Sequence, residues 1–246
     1  MDEPIAYAHL TYNSPIAPWR AERLIARLAA RRPARILDLG CGWGSLLLGV
    51  LAASPEAGAV GVDLDGDLLR RARKAAEAEG LTARVEFAER DASTWDEPAD
   101  LVLCVGASHI WGDSGSAVRA LRPLVKPGGF LLFGDMVWER TPTDADLSRL
   151  WEGASRDELP TLAALSESVV DAGFRPLGIE TVERGEMDDF ESGFLADWEE
   201  FLLRHPDSPK AEHYRRMADE HRRTWLEGHR NLAGFAYLVA GRPHER

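Results

Sequence analysis

The run Ile36-Leu37-Asp38-Leu39-Gly40-Cys41-Gly42-Trp43-Gly44-Ser45 constrains the fold more than any other stretch of the chain. An apolar, strand-like segment runs directly into three alternating glycines, and an apolar helical segment, 46–51, follows. A strand, a tight turn and a helix start in this order let backbone approach a nucleotide-like ligand at a helix N-terminus. The hydrophobic pattern keeps alternating on either side of it. Helices are expected over 19–31, 44–53, 65–79 (closed by Gly80), 114–124 and 162–172 (ending at Gly173). Strands are expected over 35–39, 59–63, 84–88, 100–105, 130–136, 177–182 and 235–240. The core strands lack a period of two, as when helices cover both faces of a parallel sheet, so the chain reads as a doubly wound α/β fold.

The last third departs from simple alternation. A long helical stretch over 188–230, broken at 206–209, places about 50 residues between the final two strands. An insertion of that length serves as a lid, a pocket wall or a dimer face. Phe194, Trp198 and Phe201 share one helical face there, a packing pattern. His213 and His221 lie two turns apart, too far for an i, i+4 metal pair. With 246 residues and no linker-like segment, the chain reads as a single domain, 1–246, with an N-terminal lid and helix segment over 1–30.

Composition narrows the partners. Asp and Glu outnumber Lys and Arg by 41 to 29, a net charge of −12, which disfavours nucleic acid. No apolar run approaches the roughly 20 residues that span a bilayer, so no membrane partner is expected. Met1-Asp2-Glu3-Pro4 is acidic and lacks an apolar run, so no signal peptide is expected, and two cysteines, Cys41 and Cys104, suggest no disulfide framework. A cytoplasmic protein with buried structural thiols is the expectation.

The chemistry concentrates at the strand ends. Asp38, just before the first glycine, suits a cationic ligand better than a pyrophosphate. The dinucleotide fingerprint needs Gly or Ala where Ser45 stands, which weakens a nicotinamide-cofactor reading. Asp63, 25 residues after Asp38 and at the end of the second strand, is placed to accept from ribose hydroxyls, with Leu64 beside it. Asp65 is the better candidate for a helix cap. Asp91-Ala92, after the third strand, can accept from an adenine amino group while the next backbone N–H completes the edge.

Together these elements resemble the class I S-adenosylmethionine-dependent methyltransferases. Asp38-Leu39-Gly40-Cys41-Gly42-Trp43-Gly44 is similar to the first motif of that family, Asp63 to the second and Asp91-Ala92 to the third. Residues 100–106, Val105 among them, resemble the fourth, and Lys126-Pro127-Gly128-Gly129 the entry to strand five. The resemblance implies a Rossmann-like seven-stranded sheet of order 3-2-1-4-5-7-6 with strand seven antiparallel. It also implies S-adenosylmethionine as cofactor, held by Asp38, Gly40, Cys41, Gly42, Gly44, Asp63, Leu64, Asp91, Ala92 and Val105.

The acceptor side falls after strand four, at Gly106-Ala107-Ser108-His109-Ile110-Trp111. The Asn/Asp-Pro-Pro-Tyr/Phe element of amide- and base-methylating subfamilies is missing, which points to a small-molecule acceptor. Strand four ends without an acid and strand five with Asp135-Met136, half of a catechol-type metal site, so metal-independent transfer is expected and no metal ligand is assigned. His109 is the candidate general base. His9, Tyr12 and Asn13, in a segment that folds over the donor in many relatives, are candidate substrate contacts, as are Trp111 and Trp138. Two rival readings stay open: an NAD-linked oxidoreductase, and a non-catalytic S-adenosylmethionine-binding module. A homodimer is compatible with the insertion.

Overall fold

The computed structural model describes residues 3–244; Met1, Asp2, Glu245 and Arg246, the ends of the expected 1–246 domain and 1–30 segment, lie outside the described residues. In chain order the elements are α1 (Pro18–Ala29), β1 (Arg35–Leu39), α2 (Ser45–Ala52), β2 (Gly58–Asp63), α3 (Gly66–Ala78), β3 (Val85–Glu89), β4 (Ala99–Val105) and α4 (Ser114–Leu121). They continue with β5 (Val125–Trp138), α5 (Asp144–Leu147), α6 (Leu162–Asp171), β6 (Arg175–Thr181), α7 (Arg184–Arg204), α8 (Ala211–Arg223) and β7 (Ala233–Gly241).

The seven strands form one sheet of order β3-β2-β1-β4-β5-β7-β6. β7 runs antiparallel to both β5 and β6, and the other neighbouring pairs are parallel. Alternate residues of each strand go to opposite faces. Ile36, Leu101 and Leu103 join Leu24 and Leu28 of α1, Leu47 and Leu51 of α2 and Leu69 of α3 in one apolar core. Leu37, Leu39, Val102 and Cys104 face Val118 and Leu121 of α4 and Leu165 and Val169 of α6 in the other. Both faces are covered, which accounts for the missing period of two.

Local chemistry sets the element ends. Asp65 caps α3 by accepting from the N–H groups of Asp67 and Leu68 at 2.8 and 3.1 Å, and Gly80, at φ +69°, closes it. β5 is longer than the expected 130–136: its pairing with β7 runs from Phe130 opposite Gly241 to Trp138 opposite Ala233, and Val125 already pairs with Ala99. α7 starts before the expected 188 because Glu183 and Glu186 form a reciprocal capping box.

The helical insertion lies between β6 and β7. Arg20 of α1, whose side chain is only 4% exposed, grips Glu186 of α7 through two nitrogens at 2.8 and 2.7 Å and also pairs with Glu180 of β6. Within the insertion, Glu191 is clasped by His221 at 3.0 Å and His229 at 2.7 Å, joining α7 to the end of α8 and the turns that follow. Burial drives the Glu191 carboxyl upward, but the two histidines outweigh it and hold the group down at about 2.

Candidate active site

The loops at the carboxyl ends of β1, β2, β3 and β4 meet around one cleft of about 260 Å³. Gly40 takes φ +75°, and a Cβ there would stand 2.4 Å from Cβ of Ala107, so only glycine lets the loops after β1 and β4 come this close. The Gly40 and Cys41 N–H groups both donate to the Val62 carbonyl, at 2.9 and 3.1 Å, which pins the glycine loop onto β2. Gly44, at φ +70°, turns the chain into α2.

Asp63 organises the second wall. One carboxylate oxygen accepts from the Gly42 N–H at 2.7 Å and the other from the Asp65 N–H at 2.9 Å. Each oxygen keeps a further lone pair with which to accept. Leu64, next to it, is an apolar side chain 69% exposed on the cleft wall. Asp91 accepts from the Ser93 N–H at 2.9 Å, and the Ser93 hydroxyl and N–H hold its carboxyl below the ordinary range. Ala92 is buried beside it.

Asp38 is the electrostatic centre. It is 6% exposed, on the cleft lining, and burial followed by repulsion from Asp63 raises its carboxyl to about 8. A buried acid of this kind stays neutral until a cation comes close enough to restore its charge. Burial raises the Cys41 and Cys104 thiols well above their ordinary value, so both stay protonated.

Of the residues singled out from sequence, Asp38, Gly40, Cys41, Gly44, Asp63, Leu64, Asp91, Ala92 and Val105 line the cleft together with Tyr12, Asn13 and His109. Gly42 contributes through its N–H to Asp63. His109 stands in the short turn Ser108–Trp111 directly after β4, exposed, and its ring makes no hydrogen bond or ion pair among the described residues.

Three residues fall elsewhere. Trp138 does not line the cleft: it is buried with Leu232 and Ala233, and its indole N–H donates to the Arg156 carbonyl at 2.9 Å. Trp111 turns back onto the core beneath α4 and α6. His9 is drawn away by Asp197 and Glu200 of α7. The cleft also uses residues that the sequence reading did not assign, Ser14, Ser45, Leu68 and Ile110 among them. Trp43 carried the clearest signal, a large aromatic inside a glycine loop; its ring packs under Arg71 and Tyr7, and its N–H donates to the Thr11 carbonyl at 2.9 Å.

Comparison with known proteins agrees with this geometry. A family profile described as a methyltransferase domain matches residues 36–129. The C-methyltransferase UbiE of ubiquinone and menaquinone biosynthesis from Syntrophotalea carbinolica is 31% identical over 193 residues, 76% of this chain and 75% of that protein. The uncharacterised protein YjhP of Escherichia coli K12 is 28% identical over 78% of each chain. A methyltransferase from Geobacter sulfurreducens, solved in complex with S-adenosyl-L-homocysteine, shares the fold with a TM-score of 0.83 at 24% identity, covering 98% of this chain and 99% of that one. With its sheet order, its glycine loop and its acids in place, the chain belongs to the class I S-adenosylmethionine-dependent methyltransferases. The nicotinamide-cofactor alternative falls away with that membership.

Proposed function

We propose that the protein transfers the methyl group of S-adenosylmethionine to a small-molecule acceptor without a metal ion, with His109 as general base. The residues that line the cleft suit that donor. Asp38, buried with its charge suppressed, would meet the cationic end; Asp63 would accept from the ribose hydroxyls; Leu64 and Ala92 would flank the adenine, with Asp91 accepting from its amino group. When bound, this cofactor supplies an electrophilic methyl carbon on a sulfonium sulfur. The chain's own contribution is to position and to manage a proton. Tyr12 and Asn13 close the cleft, and His109 takes the proton that the acceptor's O–H, N–H or acidic C–H loses as its electron pair becomes the new bond.

The observation that carries this reading is the exposed His109 ring, unpaired among the described residues, lining the same cleft as Asp38 and Asp63. Metal-free chemistry is supported by the state of Asp135: its carboxylate is buried and takes the Ser114 hydroxyl at 2.5 Å and the Met136 N–H at 2.9 Å. The biosynthetic role in the name of the Syntrophotalea relative supports a small organic acceptor.

The test is production of S-adenosylhomocysteine from S-adenosylmethionine with a fractionated metabolite pool. Replacing His109 by Gln should lower the transfer rate on the order of 10²-fold while S-adenosylhomocysteine affinity holds. A near-wild-type rate across the pH range would remove His109 as base, and no turnover with any fraction would leave a binding module.

A further inference from the structure

Residues 3–17 form an irregular strap across the mouth of the cleft, tethered from several elements. Arg71 of α3 donates to the Tyr7 and Leu10 carbonyls, both at 2.9 Å. Trp43 and Ser45 donate to the Thr11 carbonyl at 2.9 and 2.7 Å, and Tyr237 of β7 donates to Ser14 Oγ at 2.9 Å. The start of the strap hangs on α7. The Tyr7 and Ala8 N–H groups donate to the Asp197 carboxylate at 2.6 and 3.1 Å, with Tyr7 held at φ +59°, a costly conformation for a bulky residue. His9 then bridges two acids, Nδ1 to Asp197 at 2.8 Å and Nε2 to Glu200 at 2.9 Å.

Both partners of His9 are carboxylates, which only accept, so both ring nitrogens must donate and only the imidazolium satisfies the pair. A neutral ring would turn one lone pair toward an anion. We propose that His9 is a positioning residue for the donor: as an imidazolium clamped between Asp197 and Glu200, it ties the strap to the helical insertion and so keeps Tyr12 and Asn13 in the cleft wall. This rests on the cleft being the donor site.

The hydrogen bonds from Asp197 and then Glu200 hold the His9 proton above the ordinary histidine value. The clamp is therefore complete below about pH 6.5 and is lost as pH rises through the higher folded value. The charged and titratable groups around it are Asp197, Glu200, Asp189 and Glu186 of α7, the last held by Arg20, Arg204 paired with Glu200, Arg71 of α3 toward Asp197, and the phenols of Tyr7 and Tyr12. None of these side-chain types ordinarily titrates near neutrality, whereas the His9 imidazole does.

Hydrogen exchange of the strap in the ligand-free protein, corrected for intrinsic rates, tests the clamp. Protection over 5–14 should fall roughly fivefold between about pH 6 and about pH 9 in the wild type. It should be low at both in His9→Gln and high at both in His9→Arg, which keeps its charge. Calorimetry with S-adenosylhomocysteine tests the coupling. The affinity ratio of His9→Arg to wild type should be near one at about pH 6 and roughly fivefold at about pH 9, with the titration of Asp38 cancelling in the ratio. Equal wild-type protection at both pH values, or a His9→Gln strap as protected as wild type at the lower one, would overturn the clamp. A flat affinity ratio would overturn its hold on the donor. Failure of the wild type to bind S-adenosylhomocysteine at any pH would instead refute the donor reading, while the exchange data still decide the clamp.

Discussion

Asp38 and Asp63 line one cleft in contrasting environments. Asp63 has two backbone donors; Asp38 has burial and a like charge, and its carboxyl stands at about 8. A raised acid costs stability as pH climbs from its unfolded value, near 4, through its folded one, so Asp38→Asn should be the more stable protein above about pH 8. A cationic ligand reverses the shift, so binding at about pH 7 should release close to one proton. Calorimetry in buffers of different ionisation enthalpy measures that release, and Asp38→Asn should abolish it. Asp63→Ala should weaken S-adenosylhomocysteine by roughly 1.5–3 kcal/mol, read by the same titration. That these two acids line one cleft was legible because glycine spacing and strand ends fix where the strands deliver them. The place of Trp138 was not: its hydrogen-bond partner, the Arg156 carbonyl, belongs to the irregular stretch 148–160, whose path no periodicity encodes.

The first turn of α7 is anchored by a buried ion pair. Arg20 and Glu186 have side chains 4% and 5% exposed, and the carboxylate also accepts from the Ala17 and Glu183 N–H groups, both at 2.8 Å. Burial raises the Glu186 carboxyl, and Arg20 with those two donors brings it below the ordinary value. Arg20→Met strands a buried carboxylate and should cost about 3–5 kcal/mol in urea unfolding; Arg20→Met with Glu186→Met should recover most of it. The strand and helix alternation up to β5 was readable because each element is long enough to show its period. The start of α7 was displaced because Glu183 is an unusual cap. The service of His221 and His229 to Glu191 depends on a contact 30 to 38 positions away along the chain, which helical spacing does not carry.

For the whole molecule, hydrophobic pattern gave the layers but not the neighbours: a buried strand presents the same apolar faces wherever it sits, so the order β3-β2-β1-β4-β5-β7-β6 came through family resemblance alone. No helix among the described residues is long and apolar enough to cross a membrane. The placement of β7 also bears on how the chain is made. β7 follows the other six strands in chain order, yet it lies between β5 and β6, and β6 has no other partner in the sheet. On the ribosome, β5 and β6 are therefore complete some time before the segment that joins them emerges, and each then shows an unpaired edge. A stalled or prematurely released chain ending ahead of Ala233 would keep both edges open, templates for pairing with another chain until β7 closes them.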